Sequence, residues 1–167
     1  GCVTHHWNSF IFIRFSCFGW IDYILGPVEN IGAGDAMSNH PGTFSIGIEI
    51  GGTKTQVGIG SPTSGLMPHG IVRRPVIREQ GAQGILDDLV SMVDELLDSK
   101  KLTLADIQKI GIGYGGILNS STGVVLRSFQ IDGWTNFPLQ NWAEKQWGKP
   151  VHVENDASTA GFAEYVL

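Results

Sequence analysis

The chain has 167 residues, 42% of them hydrophobic and 16% charged, enough for one domain with its own core and too apolar for a disordered polymer. A formal net charge of −5 leaves no basic footprint for neutralising a phosphate backbone, so no nucleic-acid partner is expected. The two cysteines, Cys2 and Cys17, have neither C-x-x-C spacing nor spaced partners, which excludes a disulfide framework or zinc site and suits a reducing cytoplasm.

Residues 1–43 do not share the pattern of the rest. Aromatics crowd Trp7 to Tyr23 with no amphipathic period, and Gly, Asn and Pro dominate from Gly26 to Gly42. The apolar run Trp7–Leu25 carries Arg14 and Asp22 and lacks a signal-peptide layout, so no membrane span is expected. The segment is read as a poorly ordered flank, with Met37 as the expected natural start and residues 44–167 as the domain. His5 and His6 lack a third spaced ligand and receive no role. Gly32-Ala33-Gly34-Asp35 resembles the anion-hole and base motif of ribokinase-like sugar kinases, but that motif opens a helix. Pro41 blocks a helix here, and the match is read as chance.

The stretch from Ser45 to Gly60 organises the domain. Ile46, Ile48 and Ile50 alternate before Gly51-Gly52-Thr53-Lys54, and Val57 and Ile59 alternate after it, which is a hairpin signature. A glycine pair lets backbone N–H groups approach an anion, Thr53 adds a hydroxyl and Lys54 a cation. Glu49, just before the turn, is placed to hold a metal ion through water. A solvated hairpin turn would show the same four residues.

Downstream, His69 to Ile77 is rich enough in Val and Ile for a third strand of a meander, with Arg73 and Arg74 on its solvated face. From Gln83 to Ser99, Ile85, Leu86, Leu89, Val93, Leu96 and Leu97 recur at three and four residues and predict a helix with one buried stripe. Thr103 to Asp106 has the form of a capping box, and Lys109 to Tyr114 reads as a buried strand. A helix between strands implies α/β layering. That strand ends in Gly111-Ile112-Gly113-Tyr114-Gly115-Gly116, which formally fits G-x-G-x-x-G. It runs into the turn chemistry of Ile117 to Gly123 rather than a helix, so it is read as a glycine loop at a strand's carboxyl end. Open α/β sheets bind ligands at such ends, although a tight structural turn reads the same way. Pro138 at the first helical position, followed by Leu139, Trp142, Ala143 and Trp147 and then Gly148 and Pro150, predicts a second helix. Val151 to Val153 is a short strand, and Glu154-Asn155-Asp156 opens a helix from Ala157 through Tyr165, where an Asn or Asp also serves as an ordinary N-cap.

Together, I-G-I-E-I-G-G-T-K at 46–54, G-I-G-Y-G-G at 111–116, G-W-T-N-F-P-L at 133–139 and V-E-N-D-A at 153–157 resemble the ROK family. This family of repressors, open reading frames and sugar kinases lies within the hexokinase/actin-like superfamily. The resemblance implies an α/β fold, one actin-like ATPase (ribonuclease H-like) lobe with a mixed β-sheet that begins with a hairpin and meander and is flanked by helices. It implies an ATP-dependent hexose kinase, with Gly51, Gly52, Thr53 and Lys54 facing the ATP phosphates and Mg²⁺ reached through water by Glu49, where the family usually has Asp. Asp156 matches the catalytic base, Asn155 and Gly116 match sugar-binding positions, and Gln130 is a further sugar contact. Phe137 and Trp134 would pack beneath the segment.

The family's second lobe, with the adenosine site and a structural zinc cluster, has no counterpart here, so the chain is read as an N-terminal lobe and a poor kinase alone. For the full-length protein a homodimer is the assembly considered. The alternative is a non-catalytic sugar-sensing regulator, but residues 1–43 show no helix-turn-helix pattern.

Overall fold

The computed structural model describes residues 43–61, 64–128 and 131–155. The expected flank before residue 43, the Gly32–Asp35 motif, Gln130, Asp156 and the expected helix 157–165 lie outside the described residues. A five-stranded mixed sheet in the order β3 (Gly65–Pro75), β2 (Lys54–Ser61), β1 (Phe44–Ile50), β4 (Ile107–Tyr114) and β7 (Val151–Asn155) forms the frame.

Strands β1 (Phe44–Ile50) and β2 (Lys54–Ser61) pair antiparallel, with Ile48 opposite Val57 and Ile50 opposite Thr55. Period-two alternation therefore puts Ile46, Ile48, Ile50, Val57 and Ile59 on one face, where all are buried. β3 (Gly65–Pro75) begins earlier than the third strand read from the sequence. Its register on β2 shifts between Gly58 and Gly60, and His69 takes a φ of 53°, so Pro68 and His69 bulge out of an edge strand.

Helix α1 (Gly81–Lys100) carries the chain from β3 towards β4. Its buried stripe is Ala82, Ile85, Leu86, Leu89, Met92, Val93, Leu96 and Leu97, and each fully buried aliphatic side chain contributes about 1.5–3 kcal/mol. The helix ends in a Schellman arrangement in which Lys101 N–H donates to Asp98 O and Leu102 N–H to Leu97 O, both at 3.0 Å. Arg74 ties β3 to the outer side of this helix through Asp88 at 3.1 Å, Glu95 at 2.9 Å and Ser91 at 3.1 Å. Arg73 points to the opposite face and reaches Gln56, so the two arginines do not share one solvated face, because neighbours in a strand alternate.

The capping box forms as read: Thr103 N–H donates to the Asp106 carboxylate at 2.8 Å, closing a 3₁₀ turn at Leu104–Asp106. β4 (Ile107–Tyr114) then lies parallel to β1. The stretch 117–123 is only partly a turn. β5 (Ile117–Asn119) and β6 (Val124–Arg127) form a small separate hairpin, closed by Thr122 and Gly123 N–H donating to Asn119 O at 3.2 and 2.8 Å. Helix α2 (Leu139–Trp147) has Pro138 at its N-cap and ends at Gly148, whose φ of 63° suits a residue without Cβ. β7 (Val151–Asn155) joins β4 in parallel and is longer than the three-residue strand expected. Glu154 and Asn155 are its last residues, because Gly113 and Tyr114 supply pairing partners for them. Among the described residues no helix is long and apolar enough to cross a membrane.

Candidate functional site

Parallel neighbours end at the same side of a sheet, so β1 and β4 deliver the Gly51-Gly52 turn and the Gly115-Gly116 loop side by side. Gly115 N–H donates to Ile50 O at 2.9 Å and locks the two together. Between them lies a cavity of about 90 Å³ whose lining includes Gly51, Gly52, Tyr114, Gly116, Ser128 and Trp134. The turn is tight: Gly51 N–H donates to Lys54 O at 3.0 Å, and Val76 N–H reaches across to Thr53 O at 2.9 Å. A Cβ on Gly51 would sit 3.0 Å from that Lys54 carbonyl, a close approach that favours glycine. Thr53 and Lys54 are exposed.

Glu49 and Gln56 face each other across β1 and β2, and the Gln56 amide Nε2 donates to Glu49 Oε2. Gln56 is wholly buried, and its Oε1 accepts from Arg73 Nε at 2.8 Å, which fixes which end of the amide meets the carboxylate. No cluster of three His, Cys, Asp or Glu side chains capable of holding a metal occurs among the described residues.

Gly116 and Asn155 are brought together, since the Asn155 amide Nδ2 donates to Gly116 O. The preceding residue grips the far end of β5: Ser120 Oγ donates to Glu154 Oε1 at 2.7 Å, and His152 Nε2 lies 3.2 Å from Glu154 Oε2. His152 is exposed, as its alternation out of the strand requires. The end of β7 thus holds the glycine loop through Asn155 and the turn after β5 through Glu154.

Tyr114 closes β4 and lies in the cavity wall. Its ring meets Trp134 edge-on at 5.4 Å, and Trp134 meets Phe137 edge-on at 5.3 Å. Trp134 is fully buried, as expected of a residue packing beneath the segment. Burial pushes the Tyr114 phenol above its ordinary value, and a hydrogen bond with the Ser128 side chain offsets part of that. Sequence reasoning missed Tyr114 and Gln56 as site residues. For Gln56 the signal was present, because the register of a hairpin closed at Gly51–Lys54 sets it opposite Glu49.

Comparison with known proteins places this geometry. The chain is 30% identical to a ROK family glucokinase from Streptomyces griseus solved in complex with glucose and AMPPNP, with a TM-score of 0.59 over 73% of this chain and 36% of that one. It also superposes, at 19% identity and a TM-score of 0.55, on a ROK family transcriptional regulator homologous to the E. coli MLC protein, a likeness of fold alone covering 68% of this chain and 28% of that one. The architecture is thus a mixed α/β lobe of the actin-like ATPase fold. The ROK family model matches residues 45–167, and the chain belongs to the ROK family. Among sequence relatives, the beta-glucoside kinase of Listeria innocua is 34% identical over 119 residues, covering 70% of this chain and 36% of the relative. The chain therefore spans about a third of the length of the curated relatives it matches.

Proposed function

We propose that this chain is the N-terminal lobe of an ATP-dependent hexose kinase, working with a second lobe that completes the adenosine and sugar sites. The observation that carries the reading is the fixed juxtaposition of the Gly51-Gly52 turn with the Gly115-Gly116 loop, joined by Gly115 N–H to Ile50 O at 2.9 Å. One turn offers backbone N–H groups, a hydroxyl and an ammonium to phosphates, and the other offers bare backbone to a sugar.

In this reading Thr53 and Lys54 orient the transferring phosphoryl group and balance its charge. Gly116 lets the sugar lie against the chain, and Asn155, whose Nδ2 donates to Gly116 O, contacts a sugar hydroxyl beside it. Mg²⁺, when bound, supplies charge neutralisation at the phosphates, and Glu49 holds its water. Asp156, the next residue after β7, accepts the proton of the attacking hydroxyl. Phosphoryl transfer rests mainly on positioning and electrostatics, so this donor set together with one base suffices. The setting is the cytoplasm.

The test is sugar-dependent ADP release by the full-length protein carrying this lobe, across a hexose panel, beside Asp156→Asn. Turnover that falls at least about 100-fold in the variant supports the reading, the scale expected of a lost general base. Sugar binding without turnover in the parent protein would instead favour a sugar-sensing regulator.

A further inference from the structure

Tyr114 is only 3% exposed, yet it lines the cavity between the two glycine turns. A Cβ built on Gly116 would lie 2.5 Å from Tyr114 Cε1 and 3.1 Å from its hydroxyl oxygen, so the ring occupies the space directly against the glycine loop. Trp134 blocks it edge-on at 5.4 Å, and the hydroxyl is hydrogen-bonded to the Ser128 side chain. The backbone of Tyr114 is itself paired on both sides, with Ile50 of β1 and Asn155 of β7. A ring held this way cannot swing aside for a ligand without breaking several contacts at once. The cavity it bounds, about 90 Å³, is well below the ~300–1,000 Å³ of a complete small-molecule site. Tyr114 is thus the wall against which a sugar lying on Gly116 would abut.

We infer that Tyr114 is a specificity-determining residue: it sets the depth of the sugar side of the cleft, admits an unsubstituted hexose and rejects one bearing an acylated amine. The inference rests on the hexose kinase reading above and names its substrate class. Trp134 also lines the cavity, but it is the Tyr114 ring whose atoms lie against Gly116, with Trp134 packed edge-on to it.

The experiment measures kcat/KM for glucose and for N-acetylmannosamine with the full-length protein and its Tyr114→Ala and Tyr114→Phe variants. The parent prefers glucose. Tyr114→Ala lowers the preference at least about 10-fold, chiefly through a smaller KM for the acylated sugar, within the range that pocket size commands. Tyr114→Phe, which keeps the ring, holds the preference within about 2-fold, because volume rather than the Ser128 bond sets it. Tyr114→Leu makes the same comparison with less loss of apolar volume should the alanine variant fail to fold. An unchanged preference in a folded Tyr114→Ala or Tyr114→Leu protein overturns the inference, as does a parent that prefers the acylated sugar. A parent protein that turns over no hexose at all overturns the kinase reading instead, so the two failures are told apart.

Discussion

The carboxylate of Glu49 is held by the amide of Gln56 directly across the β1–β2 hairpin, and Arg73 on the third strand holds the other end of that amide. Three polar side chains thus form one transverse row on the face opposite the isoleucines. The row gives the Glu49 carboxylate a fixed place two residues before the Gly51–Lys54 turn. Replacing Gln56 with Leu keeps the volume but strips a partner from both Glu49 and Arg73. The expected loss is about 1–3 kcal/mol, the cost of part-buried polar groups that lose a hydrogen-bond partner. Urea denaturation reads it as a lower midpoint at constant slope, and an unchanged midpoint would show that the row contributes nothing.

Gly116 has no positive φ, so its need to be glycine is steric: a methyl group there would meet the Tyr114 ring at 2.5 Å. Gly116→Ala should therefore destabilise by about 1–3 kcal/mol, the range for an overpacked site. Adding Tyr114→Ala removes the clashing atoms, and the double variant should lose clearly less than the sum of the two single losses. Strict additivity would mean that the two positions do not touch.

Burial holds the Tyr114 phenol above its ordinary value. The unfolded chain, with a pKa near 10, then gives up this proton before the native state does. The contribution is fully present below that pH and is lost as pH rises through the folded value. Urea midpoints followed from about pH 8 to about pH 11 should fall more steeply for the parent than for Tyr114→Phe, since only the parent carries this phenol. Parallel profiles would refute the assignment.

Lys101 occupies the left-handed position that ends α1, with φ at 55°. Glycine adopts that conformation without the Cβ penalty, so Lys101→Gly should stabilise by about 0.5–1 kcal/mol while the Leu102 N–H bond to Leu97 O persists. Thermal melting measures the gain, and a drop in melting temperature would contradict it.

The elements that sequence made legible are those in which one periodicity dominates. The isoleucines of β1 and the leucine stripe of α1 announce their period because each has one dry face, and Pro138 and Gly148 mark the limits of α2 to within a residue. Legibility fails where tertiary pairing decides. Glu154 and Asn155 look like a helix start but belong to β7, because β4 offers them partners. The β5–β6 hairpin hides in turn-rich sequence because its strands are short. The bulge in β3 obscured its start. Within the candidate site, the glycines of both turns were visible as residue types. Tyr114 was not, since its importance lies in a contact with Gly116 and Trp134 that spacing does not encode.

The strand order carries one more consequence, for the sequence of events during folding. β1 and β2 are neighbours along the chain and can zip within microseconds, whereas β1 must wait for β4, which follows the whole of α1, and β4 in turn must wait for β7. A chain emerging from the ribosome can therefore close the Gly51–Lys54 turn long before it owns the loop that faces it. The last strand to arrive is the one whose Asn155 fastens that loop and whose Glu154 holds the turn after β5, so the cleft is assembled with the Gly51–Lys54 side first and the Gly115–Gly116 side last.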